Sequence, residues 1–291
     1  MAIDKNTPVG ILHPGAMGSF IAAMMRQSGY RVLWASEKRS DDTRARANES
    51  GLIDVVTLTA LCEQCAVIVS VCPPHAAEQL AEGVIAHGFQ GMYVDANAIS
   101  PQKAKRIGDK MHQAGITFVD GGIIGGPTTQ PKQTWLYLSG QAAPEVESLF
   151  SGGVLETEVI GDEIGKASAL KMVFAANTKG TTALLSLILA GAEALGVRDE
   201  LEAQWSERDP EYATQTGERV RRVTAKAWRF AGEMDEIAET FASAGLPDGF
   251  HSAAHEVYER MAHFKDAPET PDLLSVLQAI VARPDDGSHD R

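Results

Sequence analysis

The first half of the chain alternates short apolar runs with segments of helical periodicity. The apolar runs have the length and the bulky or β-branched content of strands. They lie at 9–12, 31–35, 66–71, 92–95 and 117–120, with two more at 134–138 and 154–160. Helical segments occupy 16–27, 40–49, 76–86 and 102–114, with a further helix near 144–150. This alternation predicts a doubly wound α/β domain, a mostly parallel sheet with helices on both faces.

The pattern changes after Gly161. Residues 164–195 contain no proline and are dominated by Ala, Leu, Met and Lys, which predicts one long, largely buried helix. Further helices are expected up to about residue 283, separated at Pro210, at Pro247 and at the pair Pro268 and Pro271. We therefore expect an α/β domain at 1–162, an all-α domain at 163–283 and a frayed tail at 284–291.

Composition narrows the classes of partner. The net charge of −13 lacks the basic surface that a nucleic acid or an anionic membrane requires, so we expect neither partner. No run approaches the roughly 18 apolar residues of a membrane span, and the N-terminus lacks the apolar core of a signal peptide. Three cysteines form no disulfide framework, so we expect a reduced, cytoplasmic protein.

A glycine turn joins the first strand to the first helix. In a dinucleotide-binding unit, such a turn lets a pyrophosphate approach the backbone at the positive end of the helix. Gly15 would allow the approach and Gly18 the close helix packing, while His13 stands at the first glycine of G-x-G-x-x-G. A turn whose glycines serve packing alone is the alternative. The predicted Rossmann-type site comprises His13, Pro14, Gly15, Ala16, Met17 and Gly18.

The segment after the second strand carries cationic and hydroxyl side chains. Ser36, Lys38 and Arg39 are donors suited to the 2′-phosphate of NADP(H). Glu37 could instead bind the ribose 2′-hydroxyl of NAD(H). The donors favour NADP(H) over NAD(H); the alternative is that Lys38 and Arg39 are only a solvated helix start.

Three further motifs, with the glycine turn, resemble the β-hydroxyacid dehydrogenase and 6-phosphogluconate dehydrogenase superfamily. They are the turn Ser70-Val71-Cys72-Pro73-Pro74, the segment 120–127 (DGGIIGGP) and the segment 165–172 (GKASALKM). The resemblance implies a catalytic Lys171, a small-molecule substrate and a homodimer built through the helical domain. It implies cofactor contacts at Val71, Cys72, Pro73 and Asn97, and substrate contacts at Gly122, Ile123, Ile124 and Gly125.

The chain departs from this family at substrate-facing positions. Ile124 stands where the family has a serine, and Phe174 and Ala175 stand where it has asparagines. Asn97 and Ala98 replace two hydroxyl residues. The substrate is therefore expected to be bulkier or less anionic than a standard small 3-hydroxyacid.

Lys171 lies in an apolar helix, and burial favours its neutral amine. A neutral amine can take a hydroxyl proton while hydride leaves for a nicotinamide. At about 100° per residue, Thr178 shares the face of Lys171 and is the candidate substrate contact there. Lys179 lies about 80° away and is expected, like Lys166, to be a surface lysine.

Two weaker signals remain. The backbone amides of 120–127 could cradle an oxyanion if the segment is a loop, although its glycines could serve the turn alone. His251 and His255 are spaced i, i+4, but no third ligand has a matching position, so no metal is expected. His255 is instead a candidate substrate contact.

These features favour an NADP-preferring oxidoreductase acting on a C–OH/C=O pair, with Lys171 as general acid and base. An imine reductase on the same scaffold is one alternative. A nucleotide-binding protein without turnover is the other.

Overall fold

The computed structural model describes residues 3–282, which form two compact units that divide after Met172. The first unit contains one eight-stranded sheet in the order β3-β2-β1-β4-β5-β6-β7-β8. All neighbouring strands are parallel except β6 and β7. The strands are β1 (Val9–Leu12), β2 (Val32–Trp34), β3 (Ile53–Asp54), β4 (Val67–Ser70), β5 (Met92–Asp95), β6 (Thr117–Ile124), β7 (Trp135–Ser139) and β8 (Glu156–Gly161).

Six helices cover this sheet. Three of them begin at a capping hydroxyl: Ser40, Thr57 and Ser100 each accept a hydrogen bond from the backbone amide three residues later. The helices are α1 (Ala16–Gln27), α2 (Asp41–Glu49), α3 (Leu58–Gln64), α4 (Ala77–Ala86), α5 (Pro101–Gln113) and α6 (Ala143–Glu147).

The strands supply two hydrophobic cores because alternate residues face opposite sides of the sheet. Ile11 and Val69 belong to the core that contains α1, whereas Leu12 and Ile68 belong to the core that contains α4 and α5. Both faces are buried, as expected for a sheet with helices on each side. The doubly wound α/β fold class is confirmed.

Two local expectations for this unit were wrong. The short strand β3 was not predicted from the sequence; its Ile53 and Asp54 are both exposed and give no apolar run. β6 continues to Ile124 and pairs with β7, so residues 120–124 form a strand and not the expected loop. The backbone there is engaged in a sheet and does not form an open oxyanion cradle.

The second unit is helical, as predicted, and the expected prolines Pro210, Pro247, Pro268 and Pro271 all lie in breaks between its helices, whereas the break at 195–197 contains no proline. The long helix begins in the first unit as α7 (Lys166–Ala175), continues past Met172 through a π-helical turn (Ala176–Gly180) and ends as α8 (Thr181–Ala194). The remaining helices are α9 (Arg198–Ser206), α10 (Tyr212–Ser243), α11 (Gly249–Arg260) and α12 (Leu273–Val281). The predicted frayed tail lies outside the described residues.

The segment Lys166–Ala194 is long and apolar enough to cross a membrane by length and composition alone. The expectation that no segment approaches this limit was therefore wrong. Core helices of soluble proteins have the same length and composition. Lys171 and Lys179 also interrupt the apolar sequence.

Candidate functional site

The turn between β1 and α1 has the backbone geometry of a glycine fingerprint although it begins with histidine. His13 has φ 64°, the left-handed conformation that glycine adopts most easily. A Cβ at Gly18 would lie 2.2 Å from the His13 carbonyl oxygen, so only glycine allows this close packing. A Cβ at Gly15 would have no neighbour within 4 Å, which leaves the backbone there open to a ligand.

The N-terminus of α1 fits the pyrophosphate of a dinucleotide. The helix has 12 residues, and within the described chain no side chain caps its start at Gly15. The first amides of a helix need acceptors and carry a positive partial charge. Anionic oxygens meet both requirements, so the open turn and the uncapped helix together suit a dinucleotide phosphate.

His13 lies over this turn as a neutral imidazole. Burial, and then the nearby Arg39 guanidinium, lowers the pKa of His13 to about 4. Its Nδ1 is buried and has no hydrogen-bond partner among residues 3–282. A buried nitrogen without a partner is costly, and a bound ligand would satisfy it.

The segment after β2 forms a tight turn at the same edge of the sheet. The Arg39 amide donates to the Ser36 carbonyl oxygen at 3.2 Å, and Lys38 between them has φ 59°. Burial lowers the pKa of Arg39, whose guanidinium also interacts electrostatically with Cys72. Lys38 is exposed and Arg39 half-buried, so both are placed to bind an anion; Ser36 is only 3% exposed.

Asn97 holds the turn after β4. Its Oδ1 accepts from the Cys72 amide at 2.5 Å, and its Nδ2 donates to Ser70 Oγ at 3.1 Å. Val71 in this turn would lie 3.8 Å from a Cβ at Gly18, so the turn borders the glycine turn. Asn97 is 2% exposed, so in this structure it acts by fixing Cys72. Burial raises the pKa of the Cys72 thiol to about 12, which keeps it protonated.

The predicted catalytic lysine packs against β6. A Cβ at Gly122 would lie 2.6 Å from the Ala167 carbonyl oxygen and 3.0 Å from Lys171 Cβ. The bare glycine thus lets α7 approach the strand, and Lys171 itself is half-buried. β6 and β1 are parallel strands of one sheet, so their carboxyl ends meet at the same edge as the glycine turn.

The other predicted substrate residues on β6 have mixed surroundings. The Ile123 side chain belongs to the core on the α1 side, and Ile124 is also buried. Gly125 has φ 112°, and a Cβ there would lie 2.3 Å from the Gln133 carbonyl oxygen. Gly125 therefore serves the turn that follows β6, and a substrate contact at these residues stays a prediction.

In the second unit, the expectation of a surface Lys179 was wrong. Its amine forms an ion pair with Glu233, which is 6% exposed, and lies 4.7 Å from the centre of the Phe230 ring. The π turn explains the difference, because it accommodates about one extra residue and moves Lys179 to the helical position expected for Thr178. Thr178 Oγ1 donates to the Phe174 carbonyl oxygen at 3.2 Å. The sequence contained no signal for this turn or for Glu233 as a partner.

The two histidines of α11 do not converge. His251 is buried beside Gly180 and Phe241, and burial lowers its pKa. His255 is half-buried and its Nδ1 lies 2.9 Å from Asp235. Within residues 3–282 there is no group of three His, Cys, Asp or Glu side chains that could hold a metal. A substrate contact at His255 stays a prediction.

Comparisons with known proteins match separate families to the α/β part and to the helical part of the chain. Residues 8–151 match the model of the NAD binding domain of 6-phosphogluconate dehydrogenase, and residues 192–261 match a domain of unknown function, DUF1932. An uncharacterized 28.5 kDa protein of Methanothermus fervidus is 28% identical over 193 residues, which cover 66% of this chain and 74% of that protein.

Solved structures share the fold. A conserved protein of unknown function, MTH1747, described as similar to 3-hydroxyacid dehydrogenases, is 25% identical, with a TM-score of 0.63 over 88% of this chain and 97% of that one. The 3-hydroxyisobutyrate dehydrogenase of Salmonella typhimurium is 16% identical, with a TM-score of 0.67 over 94% and 99%. An imine reductase of Myxococcus stipitatus in complex with NADP+ is 20% identical, with a TM-score of 0.55 over 94% and 100%.

The glycine turn, the open helix start and these matches lead to one assignment, which confirms the resemblance seen in the sequence. Residues 8–151 of the chain match the family of the NAD binding domain of 6-phosphogluconate dehydrogenase, and residues 192–261 match the DUF1932 family.

Proposed function

We propose that this protein transfers hydride between NADP(H) and a small molecule with a C–OH/C=O pair, with Lys171 as general acid and base. The observation that carries the proposal is the position of Lys171. It is packed on Gly122 of β6, in the same sheet whose β1 leads into the dinucleotide turn. A bound nicotinamide would supply or accept the hydride.

The chain's own contribution is proton transfer. In the oxidising direction, the Lys171 amine accepts the proton of the substrate hydroxyl while the C–H bond breaks. In the reducing direction, the Lys171 ammonium returns that proton to the carbonyl oxygen. Such proton transfer contributes about 10²–10⁴-fold to a rate. Lys179 is unsuited to this role, since its amine is engaged in an ion pair with Glu233.

Lys171→Ala tests the assignment, with Lys166→Ala as a matched control on the same helix, where Lys166 is exposed. We expect Lys171→Ala to keep its NADPH affinity and to lose at least about 10²-fold in kcat. Lys166→Ala should keep both. Turnover by Lys171→Ala at the wild-type rate, on any substrate found in a ketone and hydroxyacid screen, would contradict the assignment.

An imine reductase is the second candidate, supported by the shared fold with the Myxococcus stipitatus enzyme. Lys171 favours alcohol chemistry, because a lysine can serve as the proton acceptor of a hydroxyl group. Parallel panels of ketones and cyclic imines with NADPH separate the two reactions. A protein that binds NADPH but turns over neither panel would support the third candidate, a nucleotide-binding protein without catalysis.

The preference for NADP(H) is supported by Arg39, whose guanidinium interacts electrostatically with His13 of the dinucleotide turn, and by the exposed Lys38 next to it in sequence. Fluorescence titration should give at least about 10-fold tighter binding of NADPH than of NADH, the scale of one charged contact of about 1.4 kcal/mol. Arg39→Ala should remove most of this difference. Equal affinities in the wild-type protein would contradict the preference.

We also infer a homodimer formed through the helical unit. Leu184, Leu187 and Ile188 on α8 are exposed, and Leu195 just beyond it is 79% exposed. Their spacing places them along one side of the helix, an apolar surface of the kind that another chain covers. Light scattering should show a dimer, and Leu187→Glu should convert it to a monomer. A monomeric wild-type protein would refute this inference.

A cytoplasmic location follows from the same proposal. Cys62, Cys65 and Cys72 are free thiols, and burial raises the pKa of each one. Reduced cysteines and an expected supply of NADPH fit that compartment.

A further inference from the structure

A buried aspartate on β6 binds the start of the helix that carries Lys171. Asp120 has no exposed surface, and its Oδ2 accepts from the Gly165 amide at 3.0 Å, the Ser168 amide at 3.0 Å and Ser139 Oγ at 2.9 Å. Its Oδ1 accepts from Ser168 Oγ at 2.6 Å. Four donors therefore meet one carboxylate.

These contacts replace an ordinary helix cap. The first amides of a helix lack partners within the helix and are usually satisfied by a neighbouring side chain in sequence. At α7 they are satisfied from the sheet: Asp120 binds the amides of Gly165 and Ser168, and Ser139 Oγ accepts from the Ala167 amide at 3.0 Å. Two strands thus fix the position of the helix start.

The carboxylate of Asp120 faces donors on both oxygens. Burial raises the pKa of Asp120, and the hydrogen bonds from Ser168, Ser139 and Gly165 offset only part of that rise. Ionised, it can accept all four bonds, and its negative charge complements the positive end of the α7 dipole. A neutral amide in its place has one acceptor oxygen and would turn its NH₂ group towards a donor.

Asp120 and Gly122 lie on the same face of β6, because side chains alternate along a strand. The first residue binds the helix start, and the second lets the helix backbone touch the strand at Ala167 and Lys171. The strand thereby fixes both the position of the lysine along the helix axis and the distance of the helix from the sheet. A displacement of about 1 Å can cost about 10²-fold in rate, so such fixing matters for proton transfer.

We propose that Asp120 is the positioning residue of Lys171, acting through the first turn of α7 and not through contact with the substrate. This inference rests on the proposed role of Lys171. The neighbouring strand offers a comparison: Asp95 is paired in register with Asp120 and equally buried, but its Oδ1 accepts from the Asn97 amide. Asp95 therefore supports the cofactor turn, while Asp120 supports the catalytic helix.

Asp120→Asn and Asp95→Asn form a matched pair of isosteric variants. Asp120→Asn should keep the NADPH dissociation constant within about 2-fold, lower kcat by about 10–10²-fold and shift the limb of the pH–rate profile that reports the lysine. Asp95→Asn should weaken NADPH binding. If Asp120 serves folding alone, Asp120→Asn should lose NADPH binding and rate equally and keep an unchanged pH–rate profile. That result would overturn the proposal.

A second measurement is independent of turnover. The protein is acylated with an amine-reactive reagent, and mass spectrometry measures the labelling rate of each lysine. The rate of Lys171 is compared with that of the exposed Lys166 on the same helix. Asp120→Asn should change the labelling rate of Lys171 at least about 3-fold relative to that of Lys166. Ser168→Ala removes only the hydrogen bond to Asp120 Oδ1 and should change this ratio less. It replaces Asp120→Asn in the test if that variant does not fold. An unchanged ratio in both variants would overturn the proposal. Normal turnover by Lys171→Ala would instead overturn the role of the lysine, so the two failures are distinguishable.

Discussion

Replacing His13 with glycine should stabilise the protein, and more so at acidic pH. His13 adopts the left-handed conformation at φ 64°, which costs a non-glycine residue about 1–2 kcal/mol. Glycine relieves this strain but adds about 0.5–1 kcal/mol of unfolded-state entropy. At pH 7.5 the imidazole is neutral in both the folded and the unfolded chain, so these two effects leave a net gain of about 1 kcal/mol or less.

The pH dependence follows from the lowered pKa of His13. Unfolded, the imidazole binds a proton below about 6.5; folded, it does so only below about 4. Between these values the unfolded chain holds more protons, so the free energy of unfolding falls as the pH falls. At pH 5.5, one unit below the unfolded value, the wild-type protein should have lost about 1 kcal/mol through His13. His13→Gly should be spared this loss.

Urea unfolding at pH 7.5 and pH 5.5 measures both effects. Lys38→Gly is the control, since Lys38 has φ 59° but an exposed side chain. It should change stability by the same amount at both pH values. The reasoning is refuted if the free energy of unfolding of His13→Gly, relative to that of the wild-type protein, does not rise by about 1 kcal/mol from pH 7.5 to pH 5.5. It is also refuted if His13→Gly is less stable than the wild-type protein at pH 5.5.

Variants at two other sites should change the free energy of unfolding by clearly different amounts from their controls. Gly122→Ala should lower the free energy of unfolding by about 1–3 kcal/mol, because its Cβ would lie 2.6 Å from the Ala167 carbonyl oxygen. Gly126→Ala, whose Cβ would meet nothing within 4 Å, should change it by less than about 0.5 kcal/mol, and thermal unfolding of both compares them. Lys179→Met should cost about 1–3 kcal/mol, because the buried Glu233 carboxylate loses its lysine but keeps Arg229 Nε at 3.7 Å. The double variant Lys179→Met/Glu233→Leu should recover part of that loss in urea unfolding; a further loss would count against the argument.

The regular elements of the first unit were predictable because local patterns determine them. β1, α1 and β5 occupy the segments that the apolar runs and helical periodicity indicated. The strand β6 was predicted too short. Gly121 and Gly122 are typical of turns, and their place in a strand depends on pairing with β7 and on the close approach of α7.

The candidate site was predictable as a set of motifs, but not as a network. The glycine turn and Lys171 were found from local sequence. The contacts of Asp120 with Ser168 and of Lys179 with Glu233 join residues far apart in sequence, and nothing local to either residue specifies the pairing. The left-handed conformation of His13 was indicated only by its place at the first glycine of the fingerprint, since non-glycine residues seldom adopt it.

The π turn has a consequence for how the length of this segment can vary. It inserts about one residue into the helix, and its carbonyl groups are taken up by neighbours: Arg219 donates to the Thr178 carbonyl oxygen at 2.7 Å and Tyr258 to that of Lys179 at 2.8 Å. Deleting a single residue between 176 and 180 would restore a regular helix and leave the later side chains of α8 at their present positions, because the residue removed is the extra one of the turn. Removing one residue from this segment should therefore cost mainly the hydrogen bonds that Arg219 and Tyr258 donate to the turn. Related chains without the turn should align to this one only with a one-residue gap.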